Sequence, residues 1–325
     1  MKNRSYLVTA LYVILLVVIV GSIFIGAVKI EPSQIFSSAF SGVLKLRLSR
    51  IWLGLLAGAA LGIAGLLFQG VLRNPLAEPY VLGVSAGAAL GAVLSMLVAQ
   101  SGWLSLGLMP LISFVFGILT ITLVMLIAKT RGKVPIQTLL LSGIIIGAVL
   151  SSILLFLISV SRSSVIHDAI WWLLGSLQIF DMSLLFVISV IVILGIIGAH
   201  YFSKDLNAIS LGEEEALHLG VDVEHVKKWV LAIASLLAAA IVCTCGIIGF
   251  VGLIIPHLSR LLVGPDHRKL IPVIIALGGI FLILCDTVSR TVLLPAEIPI
   301  GAITSLVGGP FFIYLLKTKG KVHFK

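Results

Sequence analysis

RNPLAEPYVLGVSAGA, residues 73–88, sits between two long apolar runs. It joins a polar turn broken by Pro75 and Pro79 to a helix start rich in glycine and serine. Irregular backbone facing lipid would leave amide and carbonyl groups without partners. It is tolerated at membrane depth only where protein or a water-filled cavity surrounds it. The stretch therefore reads as a break beside a pathway through a membrane-embedded helical protein.

The composition agrees. Of 325 residues, 60% are hydrophobic and 11% charged, and the mean hydropathy is +1.24. A soluble domain carries about 25% charged residues, so this chain lacks the means to cover a water-facing surface. Its apolar runs are continuous, unlike the short alternating segments of an outer-membrane barrel. At about 20 apolar residues per span, the length allows roughly ten spans. Residues 1–325 thus read as one transmembrane domain: all-α and polytopic. MKNRSY followed by an apolar run through Val28 lacks a small-residue cleavage site and reads as a retained first helix. The net charge of +9 is spread over short loops and the tail, not a basic stripe, so topology explains it and nucleic acid does not. Cys243, Cys245 and Cys285 lie in apolar runs. The first two diverge on a helix, which disfavours a disulfide, and no His or carboxylate near them completes a metal site. Packing is their expected role, with no metal and no cofactor.

The spans fall at about 6–28, 51–72, 80–99, 109–128, 136–160, 184–202, 229–250, 253–263, 271–290 and 301–316. The eighth is short, split from the seventh by Gly246, Gly249 and Gly252, with Pro256 after them. Cytoplasmic loops carry the excess of Lys and Arg. Lys2 and Arg4, Lys129 to Lys133, Lys204, Lys227 and Lys228, Arg268 and Lys269, and Lys317 to Lys325 share one side only if the short eighth segment crosses. That gives ten helices with both termini in the cytoplasm.

Lys45, Arg47, Arg50 and Arg290 break this pattern by falling outside. Arg47 and Arg50 share a helix face near a helix N-terminus, where positive charge opposes the dipole. They read either as arginines snorkelling to lipid headgroups or as a cationic docking surface for an acidic extracellular partner; the second is the working expectation. Asp286 stands four residues before Arg290, a spacing that favours an intrahelical ion pair. An intramembrane carboxylate could instead hold a coupling ion; a structural pair is expected.

The longest polar segment, 203–228, holds Glu213, Glu214, Glu215, Asp222 and Glu224. Leu211, Ala216 and Leu219 alternate with the acids, which predicts a short amphipathic helix ending at Gly220. A compact charged helix on the inner face suits protein docking. The chain has no G-x-x-x-x-G-K-[ST] phosphate loop, no H-E-x-x-H pair and no G-x-S-x-G elbow on a soluble scaffold. His167 and Asp168 lack a nucleophile or ligand set beside them, and His257 reads as a structural residue. No catalytic machinery is expected.

Four stretches together resemble the FecCD/BtuC-like permeases of type II ABC importers, which take up iron–siderophore complexes, haem and cobalamin. They are RNPLAEPYVLGVSAGAALGA (73–92), LNAISLGEEEALHLG (206–220), GIIGFVGLIIPHLSRLLVGPDHRKLIP (246–272) and AEIPIGAITSLVGGPFFIYLL (296–316). The resemblance spans essentially the whole chain. It implies a second permease copy, a homodimer by preference, with two cytoplasmic ATPase subunits and an extracytoplasmic binding protein. The location implied is a bacterial or archaeal cytoplasmic membrane, in contact with lipid. Asn74, Pro75 and Leu76 would form part of an inner gate, with Pro135, Ile136 and Gln137 as a looser match for the other part. Leu211, Gly212, Glu213, Glu214, Glu215, Ala216, Leu219 and Gly220 would form the helix that couples to the ATPase. Arg47, Arg50 and Arg290 match positions that pair with acids on the binding protein. The cargo implied is an iron complex, a siderophore or haem, with WWLLGSL (171–177) leaning that way; cobalamin is the alternative. An ion-coupled secondary transporter built on Asp286 is the reading from a different class.

Overall fold

The computed structural model describes residues 2–26, 28 and 41–319. The described residues form helices α1 (Lys2–Phe24), α2 (Ser41–Leu72), α3 (Val84–Gln100), α4 (Met109–Ala128), α5 (Ile136–Ser159), α6 (Ser163–Leu174), α7 (Met182–Tyr201), α8 (Ser203–Ile209), α9 (Glu213–His218), α10 (Val223–Cys245), α11 (Val251–Val263), α12 (His267–Ser289) and α13 (Ile300–Lys319). Seven of them, α1, α2, α4, α5, α7, α10 and α12, are long and apolar enough to cross a membrane, and α3, α11 and α13 are shorter apolar helices. The chain is a polytopic helical membrane protein. Lys321, Lys325 and the segment 29–40 lie outside the described residues.

Lipid is as apolar as leucine, so these helices associate through close packing and interhelical hydrogen bonds, not through release of water. The centre is α2, 89% buried over its most apolar window, against 17% for α1 and for α5. Its backbone comes almost into contact with that of α12. A Cβ on Gly58 would lie 2.0 Å from the Gly278 carbonyl oxygen, and one on Gly278 would lie 2.3 Å from the Gly58 oxygen. Any side chain at either position forces the two helices apart. Small residues ease helix approach inside the chain: Ser85, Gly87 and Ala88 are buried on α3, which packs on α4.

Each of the two irregular breaks packs part of its length against protein. Between α2 and α3, Ala77, Pro79 and Leu82 are buried; between α10 and α11, Ile248 is buried. Tyr80 donates its hydroxyl hydrogen bond to the Ile248 carbonyl, so the breaks clasp each other. Within α11, Pro256 has no N–H to give to the carbonyl one turn back. That carbonyl, on Gly252, accepts instead from Gln69 Nε2 at 2.9 Å. Arg260 in turn donates to Gln69 Oε1 at 2.6 Å. A side chain from α2 thus completes the short helix.

Three features depart from the expectations. α2 starts at Ser41, ten residues before the apolar run, so Lys45, Arg47 and Arg50 lie within the helix and not at its N-terminus. Residues 163–174 form a helix, α6, that carries His167, Asp168, Trp171 and Trp172. The polar segment contains α8 as well as α9.

Candidate functional site

Hydrogen bonds and ion pairs gather the charged residues into two groups. Lys129, Arg131 and Lys133 after α4, Lys204 in α8, and Arg268 and Lys269 at the start of α12 share one end. Arg47, Arg50, Asp286 and Arg290 share the other.

At the basic end the polar segment is firmly anchored. Asn207 of α8 donates from Nδ2 to Asp266 at 2.9 Å, and its Oδ1 accepts from the His267 backbone N–H at 2.9 Å. Asp266 also caps α12 through the Arg268 N–H at 3.1 Å. α9 carries Glu213, Glu214 and Glu215 in its first turn and His218 in its last, the arrangement that its dipole favours. The helix ends as predicted at Gly220, whose φ of 83° suits glycine. Val221 N–H reaches the Ala216 carbonyl at 3.0 Å and Gly220 N–H the Leu217 carbonyl at 2.9 Å, the Schellman pattern. Within α9 Ala216 is fully buried, while Leu211, Leu217 and Leu219 project outward at 68%, 59% and 66% exposure. Glu214 and Glu215 are exposed beside them. Glu213 alone of the acids turns inward, pairing with Lys227 at 2.7 Å. The result is an exposed apolar and acidic knob, rigidly held.

The expected gate residues sit at this same end. Asn74 Oδ1 accepts from Leu76 N–H at 2.9 Å and its carbonyl from Ala77 N–H at 3.0 Å, a self-contained turn. Pro135 caps α5, accepting from Leu139 N–H at 3.0 Å; Ile136 and Gln137 open the helix. Leu76, Pro135 and Gln137 are exposed. Just beyond the turn, Glu78 accepts a hydrogen bond from the Phe250 backbone. Burial pushes its carboxyl up to about 7, with the Phe250 contact pulling the other way, and its Oε2 is buried without a partner.

The arginines expected to meet a binding protein lie at the opposite end, on α2 and just after α12. Arg47 and Arg290 are each 5% exposed. Arg47 donates to the Ile23 carbonyl at 2.6 Å and to that of Val28, satisfying the C-terminal end of α1. Arg290 donates to the Ser22 carbonyl at 2.9 Å and hydroxyl at 2.6 Å. The Asp286–Arg290 pair is present at 3.2 Å. Arg50 contributes more, reaching Asp286 at 2.7 Å and Glu297 at 2.8 Å. Burial raises the Glu297 carboxyl, but its bonds to Arg50 and Gln178 outweigh that and hold it below its ordinary range. A buried charge persists only when paired and hydrogen-bonded, and here the arginines are spent on α1, α2 and α12. Beside Glu297 opens a cavity of about 570 Å³ lined by His167, Asp168, Trp171, Trp172 and Gln178 among others. Sequence reasoning missed Glu297 and Lys227, because the first pairs with Arg50 across 247 positions and the second was counted only as loop charge.

The profile of the FecCD transport family matches residues 14–318. The cobalamin import system permease protein BtuC of Halobacterium salinarum is 41% identical over 84% of this chain and 73% of its own length. The hemin transport system permease protein HmuU of Yersinia pestis is 36% identical over 94% and 93%. The Fe(3+) dicitrate transport system permease protein FecD of Escherichia coli is 36% identical over 84% of each chain. A solved inward-facing structure of a metal-chelate type ABC transporter superposes with a TM-score of 0.87 at 32% identity, covering 97% of this chain and 99% of that one.

Proposed function

The chain belongs to the FecCD transport family, and from that premise we propose that it is the permease subunit of an ATP-driven importer, moving an iron complex inward from a binding protein. Ten helices cross the membrane in this reading, α1 to α5, α7 and α10 to α13, with both termini in the cytoplasm. The observation that carries the reading is α9: a short helix, bolted down on one side, that offers leucines and carboxylates to the cytoplasm. A permanent protein partner is what such a surface serves, and an ATPase subunit is the partner this family implies. A second copy of the chain completes the pathway. The turn at Asn74–Leu76 and the start of α5 at Pro135–Gln137 form the inner gate. At the outer rim, Arg50 and Glu297 are the ionic groups left for the binding protein to meet.

The cargo is a siderophore or haem complex of iron. Cobalamin is the second reading, favoured by the 41% identity to an archaeal cobalamin permease. An ion-coupled transporter finds no support, since Asp286 is already held by Arg50 and Arg290. Replacing Glu214 and Glu215 with lysine should abolish retention of the ATPase subunit in an affinity pull-down; unchanged retention argues against the docking role. The cargo is identified by which of a ferric hydroxamate, ferric citrate, haem or cyanocobalamin the cognate binding protein retains.

A further inference from the structure

Lys227 lies in the first turns of α10, yet its side chain is only 4% exposed and closes on two carboxylates from different places. Its Nζ is 2.7 Å from Glu213 Oε1 on α9 and 3.3 Å from Glu224 Oε1 on α10. The other oxygen of Glu224 does not face solvent alone: Oε2 accepts the backbone N–H of Val134 at 3.0 Å. Val134 ends the tight link between α4 and α5. In that link Thr130 and Lys133 exchange two backbone hydrogen bonds at 2.9 and 3.1 Å around Arg131 and Gly132. Both central residues have positive φ, 51° and 84°, which is the stiff two-residue turn of a hairpin. The next residue, Pro135, caps α5. A continuous polar chain therefore runs from α9, through one buried ammonium and one bidentate carboxylate, to the backbone at the mouth of α5.

We propose that Lys227 is a positioning residue that joins α9 and the α4–α5 turn into one mechanical unit, so that displacement of the docked helix moves the gate residues Pro135–Gln137. This rests on the reading of α9 as the ATPase-docking helix and extends it by naming the route. The arrangement has the required physical properties. Charge-assisted bonds are short and directional, and coupling is carried by hydrogen-bonded networks between rigid elements. Two carboxylates brought together around one ammonium repel once it is removed, so loss of the Lys227 charge releases both attachments at once. Methionine at this position keeps the apolar stem and deletes only the charge.

The test uses the full chain assembled with its ATPase subunit in nanodiscs. An environment-sensitive fluorophore is placed on Lys133→Cys; the three native cysteines are buried. The probe is ATP with orthovanadate. The unsubstituted Lys227 protein should give a fluorescence change on trapping. Lys227→Met should still hold the ATPase and hydrolyse ATP while that change falls by about fivefold or more, the scale of an ordinary coupling between sites. Lys227→Arg should restore it. Glu224→Met, which removes both the bond to Val134 and the Glu224–Lys227 pair, should lose the change while Glu213 still holds Lys227; it decides the matter alone if Lys227→Met fails to assemble. A full signal in Lys227→Met or Glu224→Met overturns the proposal, as does an arginine variant no better than methionine. Failure of the unsubstituted chain to bind the ATPase would instead refute the docking role of α9.

Discussion

At the Arg50 end, arginines and carboxylates from α2, α12 and the 290–300 segment close on one another, and Arg47 and Arg290 also tie down α1. At the α9 end, one lysine and one asparagine do the anchoring, and leucines and glutamates are left outside. The first region spends its charge on holding helices together where water is scarce. The second keeps charge and apolar surface available, which is stable only if something covers it. Position along the membrane normal thus says less about a charged residue's role than what faces it.

The largest effect that would sharpen this contrast is expected at Asp286. Asparagine there leaves Arg290 without a carboxylate and Arg50 with Glu297 alone, and stripping one partner from a buried pair costs about 3–5 kcal/mol. The thermal midpoint of the purified protein should fall steeply; a shift within error would show that this end is not held by its ion pairs. At the opposite end, Leu217→Asp should leave the midpoint almost unchanged, because the residue is exposed. It should weaken ATPase binding by about 2 kcal/mol, roughly thirtyfold, as loss of an apolar anchor does. Equal melting losses at both ends would break the comparison.

Glu78 supplies a pH-dependent check. Its folded carboxyl titrates near 7 against an ordinary 4.5, so the folded chain binds the proton more tightly than the unfolded chain. Stability is therefore lost as pH rises from about 4.5 through 7, by an amount on the order of 1–3 kcal/mol. Glu78→Gln should match the parent at pH 4 and exceed it at pH 8, read from melting curves at the two values. Glu297 behaves oppositely. Its carboxyl is depressed, so its contribution is present above pH 4.5 and lost as pH falls through its lower folded value. Its side chain is 37% exposed, so screening limits Glu297→Gln to about 1 kcal/mol at most.

Most of the fold was legible because a helix in lipid has few alternatives: the apolar runs mark the long helices and the Gly246–Gly252 break marks α11. The Gly220 stop of α9 was legible through its glycine. The first ten residues of α2 were not, because Lys45, Arg47 and Arg50 look like a loop until their partners are known. α6 and α8 were missed for want of a long apolar run. The burial of Arg47 and Arg290 could not be read from spacing, since Ser22 lies 268 positions from Arg290. For the same reason the acidic helix α9 was legible without Lys227, which pairs with Glu213 on it.

The central claim is that this chain forms the passage and a separate ATPase drives it. Vesicles holding the permease, its ATPase and the loaded binding protein should accumulate the chelate that the binding protein retains when ATP reaches the ATPase face. The same vesicles without the ATPase should take up none beyond equilibration. Accumulation against a gradient by the permease alone would contradict the account.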